Sequence, residues 1–401
     1  MSVGTPGFRG TRLREARQAR GVSVVSLAEL AEVKPQAIYQ YEGDRSSPGP
    51  AVFDRLATAL RIPASFLLMP ERSDEVGTVF YRSMSSATKT ARLRAEHRFR
   101  WLRDITAYVA EYVELPQPDL PELGLPRDPL LISDEDVEEA AENLRRHWRM
   151  GEGPVASMVL LLENHGVVVA RDLLGAETLD GLSEYVAGEG RPYVFIGTDK
   201  GTSVRWRFDA AHELGHLLMH AHLAPEDLLR PALFKRVEEQ AHRFASAFLL
   251  PLGAFEDDLF GVSLDAFKAV KPKWRVSIGM MIIRARHAGL LTQESERALW
   301  INFNRRRWRK HEPFDDSLEA EEPRLLRRAF EMILDGGLQT PADVAERLAL
   351  PASDIEDLAG LPSGYLSDYA PVTVLRPRED RGDEALASRE PGQVVELRPR
   401  R

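Results

Sequence analysis

Three observations predict a mainly α chain with a small α+β part. Apolar residues recur at helical spacing through most of the sequence, as in VVSLAELAEV and DVEEAAENLRRHW. Two short β-rich runs, GVVVA and PYVFIG, lie near each other in the middle and suit buried strands. Shortly after them comes AHELGHLLMH, Ala211–His220, a helical run with two histidines four residues apart.

The chain has 401 residues, enough for two or three domains. Its 43% hydrophobic and 29% charged residues are ordinary for a soluble globular protein. It has no cysteine, which excludes disulfides, cysteine-ligated zinc, iron–sulfur clusters and cysteine nucleophiles. The N-terminal MSVGTPGFRGTRLREARQ lacks a signal-peptide core, and no stretch approaches the ~20 apolar residues of a membrane span. A cytoplasmic location without a membrane partner is expected. The net charge of -9 is unevenly placed: residues 1–63 hold nine Arg/Lys against six Asp/Glu. A small basic module precedes an acidic body.

In that module, GTRLREARQARG reads as a helix stopped at Gly21. Ser23 caps the next helix, with Leu27, Ala28, Leu30 and Ala31 as its apolar positions. Pro35 opens a third helix and Gly43 follows its end. GPAVFDRLATALRIPASFLL supplies two more, with Leu56, Leu60, Ile62, Phe66 and Leu67 for the core. Short helices joined by a tight turn make a helix-turn-helix.

RLREARQARGVSVVSLAELAEVKPQAIYQYEGDRSSP resembles the Xre/Cro-type repressor module. The resemblance implies binding of a double-stranded DNA operator, as a homodimer. The third helix of that family enters the major groove. The matching positions are Gln36, Ala37 and Gln40, with Tyr39 nearby, and Lys34 and Arg45 complete the set expected at DNA. Arg17 and Glu42 match a family pair that ties helix one to helix three. Val24 stands where the family carries glutamine.

From Thr78 to about Val113 the sequence reads as a strand and an arginine-rich helix whose charges suit a solvated face. PQPDLPELGLPRDP is irregular. SDEDVEEAAENLRRHWRM is a helix capped by Ser133, with Val137, Ala140, Ala141, Leu144 and Trp148 inward. Val155 to Glu163 is another.

In a helix, His212 and His216 share one face a turn apart, where two imidazoles can bind one zinc ion. Glu213 is rotated about 100° from His212, so it reaches past the metal to take a proton from an activated water. Gly215 inside the helix suggests close approach by a neighbouring backbone. With ten histidines in the chain, chance gives H-E-x-x-H in roughly a couple of per cent of such sequences, so a third ligand must be found. KRVEEQAHRFASAFLLP offers one. Its buried side carries Ala241, Phe244, Ala245, Phe248 and Leu249, and Glu238 shares that side while Glu239 is rotated away. A carboxylate there needs a partner, and a metal is one. His242, a turn beyond Glu238, is a second-shell group or a competing ligand.

RWRFDAAHELGHLLMH followed by EEQAHRFASAFLLP resembles the ImmA/IrrE-type metallopeptidases. The resemblance implies a zincin-like fold with a small β-sheet and one Zn2+ per chain. It makes His212, His216 and Glu238 the ligands and Glu213 the base, with His220 and His242 in the second shell. His242 stands where the family has asparagine or aspartate.

Beyond the motif, KPKWRVSIGMMIIRARHAGLLTQ reads as a helix pair, and NRRRWRKHE as a solvated basic run. PRLLRRAFEMILDGGLQTPADVAERLALPASDIEDLAGLP has a helix-turn-helix-like pattern with Thr340 and Pro341 opening a helix. Its last helix is acidic and is expected to pack or bind protein. The expected domains are 7–69 (DNA binding), 75–310 (metallopeptidase), 315–368 (helical) and 369–401 (a disordered tail). The chain then reads as a transcriptional regulator whose zinc endopeptidase domain cleaves a partner protein, a repressor or antitoxin, in a stress or toxin–antitoxin response. The alternative is a non-proteolytic transcription factor with a ligand- or stress-sensing zincin-like domain.

Overall fold

The structure, a computed structural model, describes residues 4–70, 80–81, 88–175, 180–199 and 201–367. The expected tail at 369–401 lies outside the described residues.

The N-terminal module comprises α1 (Gly10–Ala19), α2 (Val24–Leu30), α3 (Pro35–Glu42), α4 (Pro50–Leu60) and a 3-10 turn at Ala64–Leu68. Ser23 accepts the Ser26 N–H to cap α2, and Pro35 opens α3. Arg17 donates to both carboxylate oxygens of buried Glu42 at 2.5 and 2.9 Å, tying α1 to α3.

The arginine-rich helix is α5 (Lys89–Ala110), and it is not a solvated face. Arg98 and Arg103 are buried beside Phe99 and Trp101. They tolerate burial because each meets an acid. Arg98 pairs with Asp172 and, at 2.7 Å, with Asp354, and Arg103 donates to Glu189 at 2.8 Å. On its other side α5 packs along α1. Trp101 Nε1 donates to Glu15 at 2.8 Å, and His97 Nε2 donates to the Gln18 oxygen at 2.7 Å.

The strands are β1 (Phe80–Tyr81), β2 (Val168–Asp172), β3 (Gly181–Val186) and β4 (Arg191–Gly197), in the order β1-β3-β4-β2. β2 runs parallel to β4, and β3 antiparallel to both β1 and β4. The sequence signal did not mark β3, because Ser183 and Glu184 interrupt its apolar run.

The remaining helices are α6 (Asp134–His147), α7 (Met158–Asn164), α8 (Ser203–Met219), α9 (Pro231–Leu249), α10 (Leu252–Asp257), α11 (Leu264–Trp274), α12 (Ile278–His287), α13 (Gln293–Arg305), α14 (Leu325–Asp335), α15 (Pro341–Leu348) and α16 (Ala352–Ala359). Ser133 and Asp136 form a capping box on α6, whose five predicted inward residues are all buried. The acidic α16 packs inward through Asp354 and Glu356. No described helix is long and apolar enough to cross a membrane.

Both faces of the sheet are buried, so alternate residues feed different cores. Val168, Ala170, Tyr193 and Phe195 join the N-terminal module, α5 and α14 to α16. Val167, Val169, Val194 and Ile196 join α6 to α13. The sheet is the wall between a core shared with the N-terminal module and a core that carries the histidine motif.

Candidate metal centre and nucleic-acid interface

α8 lies with its motif fully buried: His212, Glu213, His216 and His220 are all 0% exposed. It packs on α9, and Gly215 allows the close approach. A Cβ at 215 would sit 3.1 Å from a Phe244 ring carbon and 3.4 Å from Ala241 Cα. That contact brings α8's histidines opposite Glu238.

Three donors converge there. His212 Nε2 is 3.0 Å from His216 Nε2, while Glu238 places one oxygen 3.5 Å from His212 Nε2 and the other 3.3 Å from His216 Nε2. Zinc with bonds of about 2.0–2.1 Å in tetrahedral geometry would separate its donors by about 3.3 Å. The donor set and its spacing therefore fit that ion. Ligand atoms of His212, Glu238 and His242 also lie within 4.8 Å of one another.

Hydrogen bonds behind His216 define its tautomer. Gln240 Nε2 donates to the carbonyls of Pro129 and Ile132 at 2.7 and 3.2 Å, so its oxygen must accept. His220 Nε2, 3.0 Å from that oxygen, carries the proton. Burial, then neighbouring His216, holds the His220 pKa well below the usual histidine range, so the ring is neutral. Its Nδ1 lone pair faces His216 Nδ1 at 3.0 Å, and His216 is the donor. The Nε2 of His216 thus keeps its lone pair on the side of His212 and Glu238, which is the form a metal requires. Gln240 carried no sequence signal of this role.

Glu213 turns toward β3. Ser183 Oγ donates to Glu213 Oε2 at 2.6 Å, and a Cβ at Gly181 would meet Glu213 Oε1 at 3.1 Å. Ser183 was not singled out in the sequence, because β3 itself was not.

A groove of about 990 Å³ opens on Glu238 and His242, with Phe208, Met280, Ile283 and Trp300 among its walls. Charged side chains, among them Lys235, Arg236 and Arg243, line it as well. His222 lies on the surface, with Nε2 2.7 Å from the Arg127 carbonyl.

In the N-terminal module, α3 buries Ile38 and Glu42 and turns Gln36, Tyr39 and Gln40 to solvent. Lys34 and Arg45 are exposed at its two ends, and Ala37 is half-buried.

Comparison with known families matches two segments of the chain. Residues 162–286 match the peptidase family model described as an IrrE N-terminal-like domain, a span that contains α8 and α9. Residues 10–65 match a helix-turn-helix domain. No curated protein matches the chain. The chain therefore joins a helix-turn-helix domain to an IrrE-like, metallopeptidase-like domain.

Proposed function

We propose that this chain is a DNA-binding regulator whose second domain is a zinc-dependent endopeptidase acting on a partner protein. The convergence of His212, His216 and Glu238 at zinc-like spacing beside a groove of about 990 Å³ carries this reading. His212, His216 and Glu238 would hold the ion. When bound, it polarises a peptide carbonyl and lowers the pKa of water. Glu213 accepts the proton from the attacking water and delivers it to the leaving amide nitrogen. Ser183 orients the Glu213 carboxylate through its hydroxyl. Gln240 and His220 keep His216 in the tautomer with Nε2 unprotonated. The apolar walls of the groove hold an extended chain and exclude water. A repressor or antitoxin is the substrate class that suits an enzyme joined to an operator-binding module. Lys34, Gln36, Ala37, Tyr39, Gln40 and Arg45 contact that operator, which the protein binds as a dimer.

The test is Glu213→Gln in zinc-loaded protein, incubated with a proteome-derived peptide library and read by mass spectrometry of new termini. The variant should keep its zinc and lose cleavage by about a hundredfold or more. Cleavage equal to wild type would remove Glu213 from the role of base.

The alternative, a transcription factor that senses without cutting, draws on a different observation. Arg98 joins the end of β2 to Asp354, and Asp354 also binds Arg20 beside α1. The domain's sheet is thereby tied to the DNA-binding module. Operator binding that responds to a small molecule, with Glu213→Gln behaving as wild type, would favour that reading.

A further inference from the structure

We propose that the groove beside the metal centre continues into a second basin, where Arg309 and Lys310 bind acidic residues of the substrate to one side of the bond to be cut. This rests on the peptidase reading above and names the substrate class of the same site. A basin of about 620 Å³ is walled by the start of α8 and by the chain that follows α13. Phe208 and Ser277 line both this basin and the groove that opens on Glu238, so the two hollows adjoin. Phe208 lies one turn before His212 on α8, with the two rings 6.5 Å apart. A chain that leaves the groove across Phe208 enters the basin.

The end of α13 holds the basin's basic rim in place. Arg307 takes a left-handed backbone, φ 61°. Its N–H donates to the Asn304 carbonyl at 3.0 Å, and the Trp308 N–H to the Phe303 carbonyl at 3.2 Å. The Trp308 ring then stands edge-on to Phe303 at 6.1 Å. This is the helix stop that usually carries glycine, here built on an arginine. It turns the chain so that Trp308, Arg309 and Lys310 face the basin.

The charges around the basin divide into those already engaged and those left over. Buried Glu312 and Asp315 both bind the Nζ of buried Lys271, at 2.8 and 2.6 Å, and Glu312 also accepts the N–H groups of Ile278 and Gly279. Arg205 holds Asp180 at 3.0 Å and lies 3.9 Å from Asp209. Arg309 and Lys310 are exposed, and among the described residues neither forms an ion pair. The cations of the first groove differ. Arg236 and Arg243 pair with Asp134 at 2.9 and 2.7 Å, and Lys235 lies 3.7 Å from Glu239. The positive charge open to a ligand therefore sits at the Arg309–Lys310 end, where carboxylates answer it. Phosphates of duplex DNA carry the same sign of charge, but α13 packs into the core on the far side of the sheet from the N-terminal module.

The experiment is fluorescence-anisotropy binding to full-length Glu213→Gln protein supplied with zinc, with and without the double substitution Arg309→Glu, Lys310→Glu. Both replaced side chains are exposed, so the cores stay untouched. The probes are a labelled peptide alternating glutamate and alanine, its glutamine counterpart, and a labelled DNA duplex. With Arg309 and Lys310 in place, the acidic peptide should bind about tenfold more tightly than the glutamine peptide at low salt, and less so as salt rises. The double substitution should abolish that preference. Equal affinity for the two peptides, or a preference that survives the substitution, would overturn the proposal. So would a double variant that loses affinity for the duplex alone, which would give these residues to nucleic acid. Binding is read without turnover, so the two readings fail separately. The preference without any cleavage by wild type would remove the peptidase and keep an acid-selective basin, and cleavage without the preference would do the reverse.

Discussion

On one face of the sheet, Arg98 and Arg20 share the carboxylate of Asp354, and Arg98 also holds Asp172. On the other face, His212, His216 and Glu238 turn three electron-pair donors toward one point. Both clusters bury polar groups in apolar cores, and they do so on opposite terms. In the first, cations and anions alternate. Burial pushes the Asp354 carboxyl up, but hydrogen bonds and charge from Arg20 and Arg98 outweigh it and hold it below the usual range. Asp172, with Arg98 as its main partner, is left raised by burial. In the second, imidazole nitrogens and carboxylate oxygens face one another, an arrangement a cation would complete. Buried polarity that is complete in itself holds a fold together. Buried polarity that converges on a point marks a site.

The comparison predicts that the two clusters can be broken separately. Asp354→Ala leaves Arg98 and Arg20 without their shared anion. Removing one partner of a buried pair costs about 3 kcal/mol or more. Denaturant melts should show that loss, while zinc stoichiometry at native conditions stays at about one per chain. A parallel loss of zinc would mean that the clusters are not independent.

The seam between α1 and α5 should also carry a pH signature. Burial first, then Arg100 and Arg17, lowers the His97 pKa from 6.5 to about 4. The folded state therefore favours the neutral ring, and the unfolded chain binds the extra proton. Stability from this group is fully present above pH 6.5 and is lost as pH falls toward 4, by on the order of 2–3 kcal/mol. The difference between wild type and His97→Gln in stability-versus-pH curves isolates it. Parallel curves through that window would contradict the assignment.

The smallest expected effect lies behind the metal centre. Gln240→Leu removes the acceptor that fixes His220, and with it the tautomer of His216. Zinc affinity should fall about tenfold in chelator competition. Nitrogen NMR of the zinc-free protein should show His216 protonated at Nδ1 in wild type and mixed in the variant. Unchanged His216 shifts would dismiss the relay.

How much of this was legible in the sequence follows from the range of each interaction. His212 and His216, or Glu238 and Ala241, signal through spacing along one helix, so both site helices and their inward faces were readable. Gly215 was readable for the same reason, since a glycine inside a strong helix needs a cause. The helix-turn-helix was readable from caps and stops at Ser23, Pro35 and Gly43. Arg98 was misread because its partners Asp172 and Asp354 lie 74 and 256 residues away. A run of arginines looks solvated until the acids that meet it are placed. Ser183 and Gln240 carry no local pattern either. Each matters through one contact made by tertiary packing, across 30 residues to Glu213 and 20 to His220.

The central claim is that the second cluster is a metal centre with Glu238 as a ligand. The most direct test is metal content by mass spectrometry on purified wild type and Glu238→Ala, after mild chelator washing. About one zinc per chain in wild type, and clearly less in Glu238→Ala, is the predicted result. A wild type that holds no zinc even when zinc is added back, or equal zinc in both proteins, would contradict it.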